Sequence, residues 1–329
     1  MQIENRPMGE YSQAEMKDIK SEFSDLRVIT QTFYGNDETS RVRQQLALRF
    51  FEKARQLGLK VIVVDGGSNE DFINSVRQNY SNTVELYAEK DIPESEREGS
   101  EKVGMGTSRR YGFAKAMAEE NAKYFLWTEP EKDELLTVDN VKSMLKSLKS
   151  GEADVSVPQR ISKESMVPIQ GWLESWANKI AARLLAARKG GQEERPLDLW
   201  FGPKIFNRKG GEEFLKYRGK LNKWDSIIAP AGNAEVAGLK VNAVDVNYSY
   251  DPSQVKNEVG NRAMDAKRWD QFLSILAELG SQEAANFYQR KSAGEPIEKL
   301  VPEIIYTFGM EEDMPEFFRY KIKGLSSKN

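Results

Sequence analysis

Carboxylates recur at alternate positions in Glu129-Pro130-Glu131-Lys132-Asp133, directly after the apolar run Tyr124-Phe125-Leu126-Trp127. Alternate side chains of an extended segment share a face, so Glu129, Glu131 and Asp133 are candidates to share a divalent cation bridging a diphosphate. The plainer alternative is a solvated acidic turn opening the next helix, with Asp133 and Glu134 favoured by its dipole. Asp65-Gly66-Gly67-Ser68 follows another apolar run, Leu59–Val64. Its two glycines let backbone approach a ligand and free N–H groups to bind it. The alternative is a strand-to-helix turn with Ser68 or Asn69 as the helix cap. In Gly104-Met105-Gly106-Thr107-Ser108-Arg109-Arg110 two arginines fall in the first turn of an expected helix, against its macrodipole. A bound phosphate would offset that placement, and so would a salt bridge to Glu101 or Glu119.

Composition narrows the chemistry further. The 329 residues include no histidine and no cysteine. Histidine bases, Ser-His-Asp hydrolysis, thiol nucleophiles and His- or Cys-ligated zinc are therefore excluded. Acid–base work falls to Asp, Glu, Lys or Tyr, and any metal would sit on oxygen, which favours Mg2+ or Mn2+. With 48 basic against 51 acidic side chains, the net charge of −3 argues against a dedicated nucleic-acid binder. No apolar run approaches the roughly 20 residues of a membrane helix. The N-terminal MQIENRPMGEYSQAEMKD is polar and lacks a signal-peptide core, so a cytoplasmic location is expected.

The elements that must position these residues alternate along the chain. Strands are expected at Leu26–Phe33, Leu59–Val64, Val84–Ala88, Tyr124–Trp127, Ala153–Val157 and Leu239–Tyr248. Helices are expected at Thr39–Leu57 (closed by Gly58), Ser108–Ala122, Val138–Leu148 and Trp172–Arg188. Continuous β-branched runs such as Val61-Ile62-Val63-Val64 suit strands buried on both faces. The pattern predicts an α/β fold with an open, mostly parallel, doubly wound sheet. Residues 1–24 read as a tail, 25–253 as the α/β domain, and 254–329 as a helical C-terminal extension with helices at Trp269–Leu279 and Gln282–Gln289. Ligands of such sheets gather beyond the carboxyl ends of the strands, here Thr32–Glu38, Asp65–Asn69 and Thr128–Asp133.

The order of these motifs resembles the GT-A nucleotide-diphospho-sugar transferases, particularly the family-two glycosyltransferases, over about residues 26–250. Phe33-Tyr34-Gly35-Asn36-Asp37-Glu38 stands where the family has its first polar turn, and Asp65-Gly66-Gly67-Ser68 matches its Asp-x-x-Ser. Ser108-Arg109-Arg110-Tyr111-Gly112 echoes Ala-Arg-Asn-x-Gly, and Phe125-Leu126-Trp127-Thr128-Glu129-Pro130-Glu131 stands at Asp-x-Asp. The departure is glutamate for aspartate at that last motif, which alters metal geometry and opens metal-independent action. The family's histidine ligand has no counterpart, although Asp251 could stand in.

The resemblance implies transfer of a sugar from a nucleotide-diphospho-sugar donor to a hydroxyl-bearing small molecule or glycan, assisted by Mn2+ or Mg2+. Thr32, Tyr34 and Asp65 would hold base and ribose, with Gly66 and Ser68 of the same turn. Arg109 or Arg110 would face the diphosphate, and Glu129, Glu131 or Asp133 the metal or donor sugar. The acceptor side would run from Arg160 to Asp225, with Trp172, Trp176 and Trp200 either stacking on a sugar or serving as core. Asp225 is the candidate base, or else a helix cap. Two rivals remain open: a sugar-1-phosphate nucleotidyltransferase and a non-catalytic nucleotide- or sugar-binding protein. The aromatic-rich stretch Phe287–Phe318 could dock on the sheet or on a second copy, as a homo-oligomer.

Overall fold

In a computed structural model, residues 6–97, 103–161, 166–191, 196–219, 223–312 and 314–315 are described. Strands Leu26–Thr32 (β1), Lys60–Asp65 (β2), Val84–Ala88 (β3) and Tyr124–Trp127 (β4) run parallel, side by side in the order β3-β2-β1-β4. Val155–Arg160 (β5), Lys204–Asn207 (β6) and Val241–Val246 (β7) extend the sheet as β4-β6-β5-β7. β6 is antiparallel to both of its neighbours, while β5 and β7 are parallel. The other six strands therefore share one direction.

Both faces of this sheet are covered, which is why its strands read as unbroken apolar runs. Val28, Val61, Val63, Leu126 and Ile205 enter one core, with Gln13–Glu22 (α1), Glu38–Leu57 (α2), Glu70–Tyr80 (α3) and Val138–Lys149 (α5). Ile29, Ile62, Phe125 and Phe206, one residue out of phase, enter the other. There they meet Met105–Ala118 (α4), Pro168–Lys189 (α6), Arg208–Lys216 (α7) and Asp225–Val236 (α8). The same core continues into Arg262–Glu278 (α10), Gln282–Ser292 (α11) and Ile297–Phe308 (α12), which follow the short Pro252–Glu258 (α9).

Local chemistry sets the helix ends. Asp37 caps α2 by accepting the Ser40 N–H at 2.9 Å, and Gly58 closes it with φ of 71°. Asn69 caps α3 through the Phe72 N–H at 2.9 Å. α4 departs from expectation: it starts at Met105 and stops at Ala118. Arg109 and Arg110 thus lie in its second turn, where the macrodipole has fallen off, and the dipole argument for an anion there lapses. Glu119 pairs instead with Arg27 at 2.7 Å, and Glu101 lies outside the described residues. No described helix is long and apolar enough to cross a membrane. Phe317 and Phe318 of the aromatic-rich stretch also lie outside the described residues.

Candidate functional site

The parallel strands end together, and register makes a notch among them. β1 pairs its Ile29 with Trp127, the last residue of β4, and its Thr32 with Asp65, the last residue of β2. β1 therefore overshoots β4 by three residues, leaving open space above Trp127. Because β6 is antiparallel and pairs Lys204 with Trp127, the loop before it (198–203) comes to the same edge. A cavity of about 500 Å³ occupies this place. Thr32, Phe33 and Gly66 form one side of it, Arg109, Trp127, Glu129 and Glu131 the floor, and Trp200 and Gly202 the far side. α9 and α10 close the top with Asn257, Glu258, Lys267, Arg268 and Gln271.

Six of the residues singled out from sequence thus meet on one cavity: Thr32, Gly66, Arg109, Glu129, Glu131 and Trp200. The others lie behind its walls. Asp65 is buried and spends its carboxylate inside the turn, accepting from Thr32 Oγ1 at 2.7 Å and from the Gly67 and Ser68 N–H groups at 2.9 Å each. Ser68 Oγ accepts the Tyr34 N–H at 3.0 Å. Tyr34 is buried against Phe72 and donates its hydroxyl to Glu131 at 2.9 Å. Arg110 is buried and donates to Thr107 at 3.3 Å. Trp172 packs edge-on against Trp269, 6.1 Å between centroids, in the core. Arg160 is clamped by Asp198 (2.8 Å), Glu174 (2.6 Å) and Tyr250 (3.0 Å), and so braces the loop that carries Trp200. Asp251 caps α9 and pairs with Arg49 at 2.6 Å, away from the cavity.

Asp225 requires a correction. It is 0% exposed, and its oxygens accept from the Tyr217 hydroxyl at 2.8 Å and the Lys223 N–H at 2.7 Å. An enclosed carboxylate with both oxygens engaged does not reach an acceptor hydroxyl in this geometry. Its effect is to fix the turn that opens α8, where Trp224, Ile227 and Ile228 line the cavity.

The three spaced carboxylates are corrected as well. Alternation requires an extended backbone, but the Lys132 N–H bonds back to the Glu129 carbonyl at 3.1 Å and folds the segment into a turn. Glu129 then pairs with Lys132 at 3.2 Å, and Glu131 with Arg43 at 2.5 Å. Asp133 is drawn to the other side of the turn by Arg49 (3.2 Å) and Lys53 (3.0 Å). No group of three metal-ligating side chains forms among the described residues. These carboxylates do not fit a shared Mn2+ or Mg2+: an ion between them would displace ammonium and guanidinium partners already in place.

Cations and carboxylates mix along the cavity wall. Arg109, 4% exposed, lies with its guanidinium 5.1 Å from the Trp127 ring centroid and donates to the Lys223 carbonyl at 2.6 Å and to Ser226 Oγ. Burial pushes it down to about 10, against the pull of Glu129 and Asp225. Burial alone would raise Glu129, but the Lys132 ammonium and Arg109 hold it below its ordinary value. Its carboxylate lies against Gly202, whose added Cβ would fall 2.6 Å from Oε1. Phe33, Arg43, Lys132, Gly202 and Lys267 were not picked out from sequence. Of these only Phe33 carried a local signal, as an aromatic residue just past a strand end.

No known protein family matches the sequence, and no curated protein matches it. Solved structures do. Mannosyl-3-phosphoglycerate synthase from Rubrobacter xylanophilus superposes with a TM-score of 0.52 at 12% identity, covering 84% of this chain and 80% of that one. A mycobacterial protein gives 0.51 at 15% identity, covering 84% and 79%. Glucosyl-3-phosphoglycerate synthase from Mycobacterium tuberculosis, solved with Mg2+ and uridine-diphosphate, gives 0.46 at 14%, covering 83% and 86%. The fold is thus GT-A-like, on a mixed and mostly parallel sheet.

Proposed function

We propose that this chain is a glycosyltransferase that takes a sugar from a nucleotide-diphospho-sugar and places it on a hydroxyl acceptor. The observation that carries the reading is convergence: the loops after β1, β2 and β4 open on one cavity that holds a carboxylate, a buried arginine and aromatic faces. Fold supplies the prior, and the site supplies the chemistry. Phe33, 68% exposed beside Gly66, offers a flat face to a base. Gln31 and Glu89, joined at 3.1 Å, offer polar groups to its edge.

In the transfer, the acceptor oxygen bonds to the anomeric carbon as the bond from that carbon to the diphosphate oxygen breaks. Negative charge grows on the departing diphosphate, where fixed cations stabilise it most. The acceptor proton needs a base. Glu129 is ionised at neutral pH, half-buried and on the cavity wall, and takes that role in place of Asp225.

A thermal-shift series with UDP, GDP, CDP and ADP and their sugar conjugates tests the reading. The matching ligand, at about 100 times its dissociation constant, stabilises by about 2.7 kcal/mol. Nucleoside diphosphate released together with glycosylated acceptor is the expected turnover. Pyrophosphate release would assign a nucleotidyltransferase instead, and binding without turnover a binding protein. Glu129→Gln is expected to lower kcat by about 100-fold or more while leaving donor affinity within about threefold. If no nucleotide or nucleotide sugar moves the midpoint, with or without Mn2+, the reading is lost.

A further inference from the structure

Charge is distributed unevenly over this cavity. Four of its acidic side chains are ion-paired: Glu129 with Lys132, Glu131 with Arg43, Glu174 with Arg160 and Glu258 with Arg268 at 2.6 Å, while Glu89 accepts from Gln31 and Ser108 instead. Two of its cations form no ion pair among the described residues, although carboxylates act on both through space, Glu129 and Asp225 on Arg109 and Glu258, Glu131 and Glu129 on Lys267. Arg109 meets the Lys223 carbonyl, Ser226 Oγ, the Met105 sulfur and the Trp127 ring, all uncharged, and its buried Nε has no hydrogen-bond partner. Lys267 Nζ lies 4.7 Å from the Trp224 ring centroid and forms no ion pair among the described residues. Trp224 and Ser226 belong to the same turn at the start of α8, so the two cations flank one stretch of cavity wall. A buried cation without a counter-charge is unfavourable, and an entering anion relieves it.

We propose that Arg109 and Lys267 compensate the diphosphate of the ligand, doing the work a divalent ion would otherwise do. The proposal rests on the reading above, that the cavity takes a nucleoside diphosphate. It accounts together for the ion-paired carboxylates Glu129 and Glu131 and for the two cations outside any ion pair. Burial pushes Lys267 down to about 8, with Arg43 adding to the effect and Glu258, Glu131 and Glu129 opposing it.

Calorimetric titration of the full-length protein with UDP, GDP, ADP and inorganic pyrophosphate, in excess EDTA and then in Mn2+ or Mg2+, tests this. At least one nucleoside diphosphate should bind in EDTA within about threefold of its affinity with metal. Lys267→Gln should weaken it about tenfold or more, and Lys267→Arg should recover most of the loss. Should Lys267→Gln fail to fold, the wild-type pH profile serves: affinity should fall as pH rises past about 8 and the lysine loses its proton. Binding in metal that EDTA abolishes overturns the proposal and leaves the functional reading standing. An unchanged affinity in Lys267→Gln, or a flat profile above pH 8, also overturns it. No binding under either condition overturns both.

Discussion

Lys204 is fully buried, and its ammonium hydrogens meet three carbonyls, Leu199 at 2.9 Å and Gly202 and Pro203 at 3.1 Å each. The side chain thereby ties the loop bearing Trp200 and Gly202 to the end of β4. Burial pushes the ammonium down to about 7; Asp198 and Glu129 oppose this, while Arg160 and Lys132 add to it. An unfolded lysine titrates near 10.4. Between about 7 and 10.4 the unfolded chain therefore binds more protons at this site than the folded one, and stability rises with pH. Below about 7 both states are protonated and the contribution is flat. Lys204→Met removes this titration and leaves three carbonyls without their donor, so it is destabilised throughout. Its deficit against wild type should widen from pH 7 to pH 9, by at most about 1.4 kcal/mol per pH unit. Urea midpoints at the two values measure it. A constant deficit would mean that the three carbonyls hold the lysine charged over the whole range.

Close approach of α4 to the sheet is what places Arg109 over Trp127. It depends on Gly112, whose added Cβ would lie 2.8 Å from Ile29 Cγ2 and 3.3 Å from Val64 Cγ2. Two effects compete in Gly112→Ala. Alanine favours a helix interior by about 1 kcal/mol, while overpacking against a branched side chain fixed in β1 costs about 1–3 kcal/mol. The clash should win, and the thermal midpoint should fall; a neutral or stabilised variant would show that α4 sits off the sheet. This glycine was visible in sequence as part of Ser108–Gly112, but its role was not. The strands were legible because β-branched runs such as Val61–Val64 have little else to become. The start of α4 was not, since Gly104-Met105-Gly106 is poor helix sequence held by tertiary packing. Nor was the reversed direction of the four-residue β6, which follows Gly202-Pro203 and leaves no periodic signal. Thr32, Gly66 and Glu129, singled out at polar strand ends, line one cavity. The turn at Pro130 broke the alternation assumed for Glu131 and Asp133.

Lys267 shows why part of the site stayed hidden: it lies on α10, more than a hundred residues beyond Glu129, in helices whose sequence shows only an apolar face. Yet those helices share one core with the sheet. Trp269 abuts Trp172 of α6, Phe272 is buried against Phe308, and the cluster runs unbroken from Ile29 to Ile305. We expect sheet and C-terminal helices to unfold as one unit for this reason, so that residues of the cavity roof are held by the stability of the whole. Phe272→Ala removes a fully buried ring and should cost about 3–5 kcal/mol. Hydrogen exchange followed by mass spectrometry distinguishes shared from local loss. Peptides covering Leu26–Thr32 and Arg262–Glu278 should lose protection by the same factor, and a saturating nucleoside diphosphate should restore both. Lost protection confined to Arg262–Glu278 would instead make the roof a separately melting piece, able to part from the sheet while the strand ends stay folded.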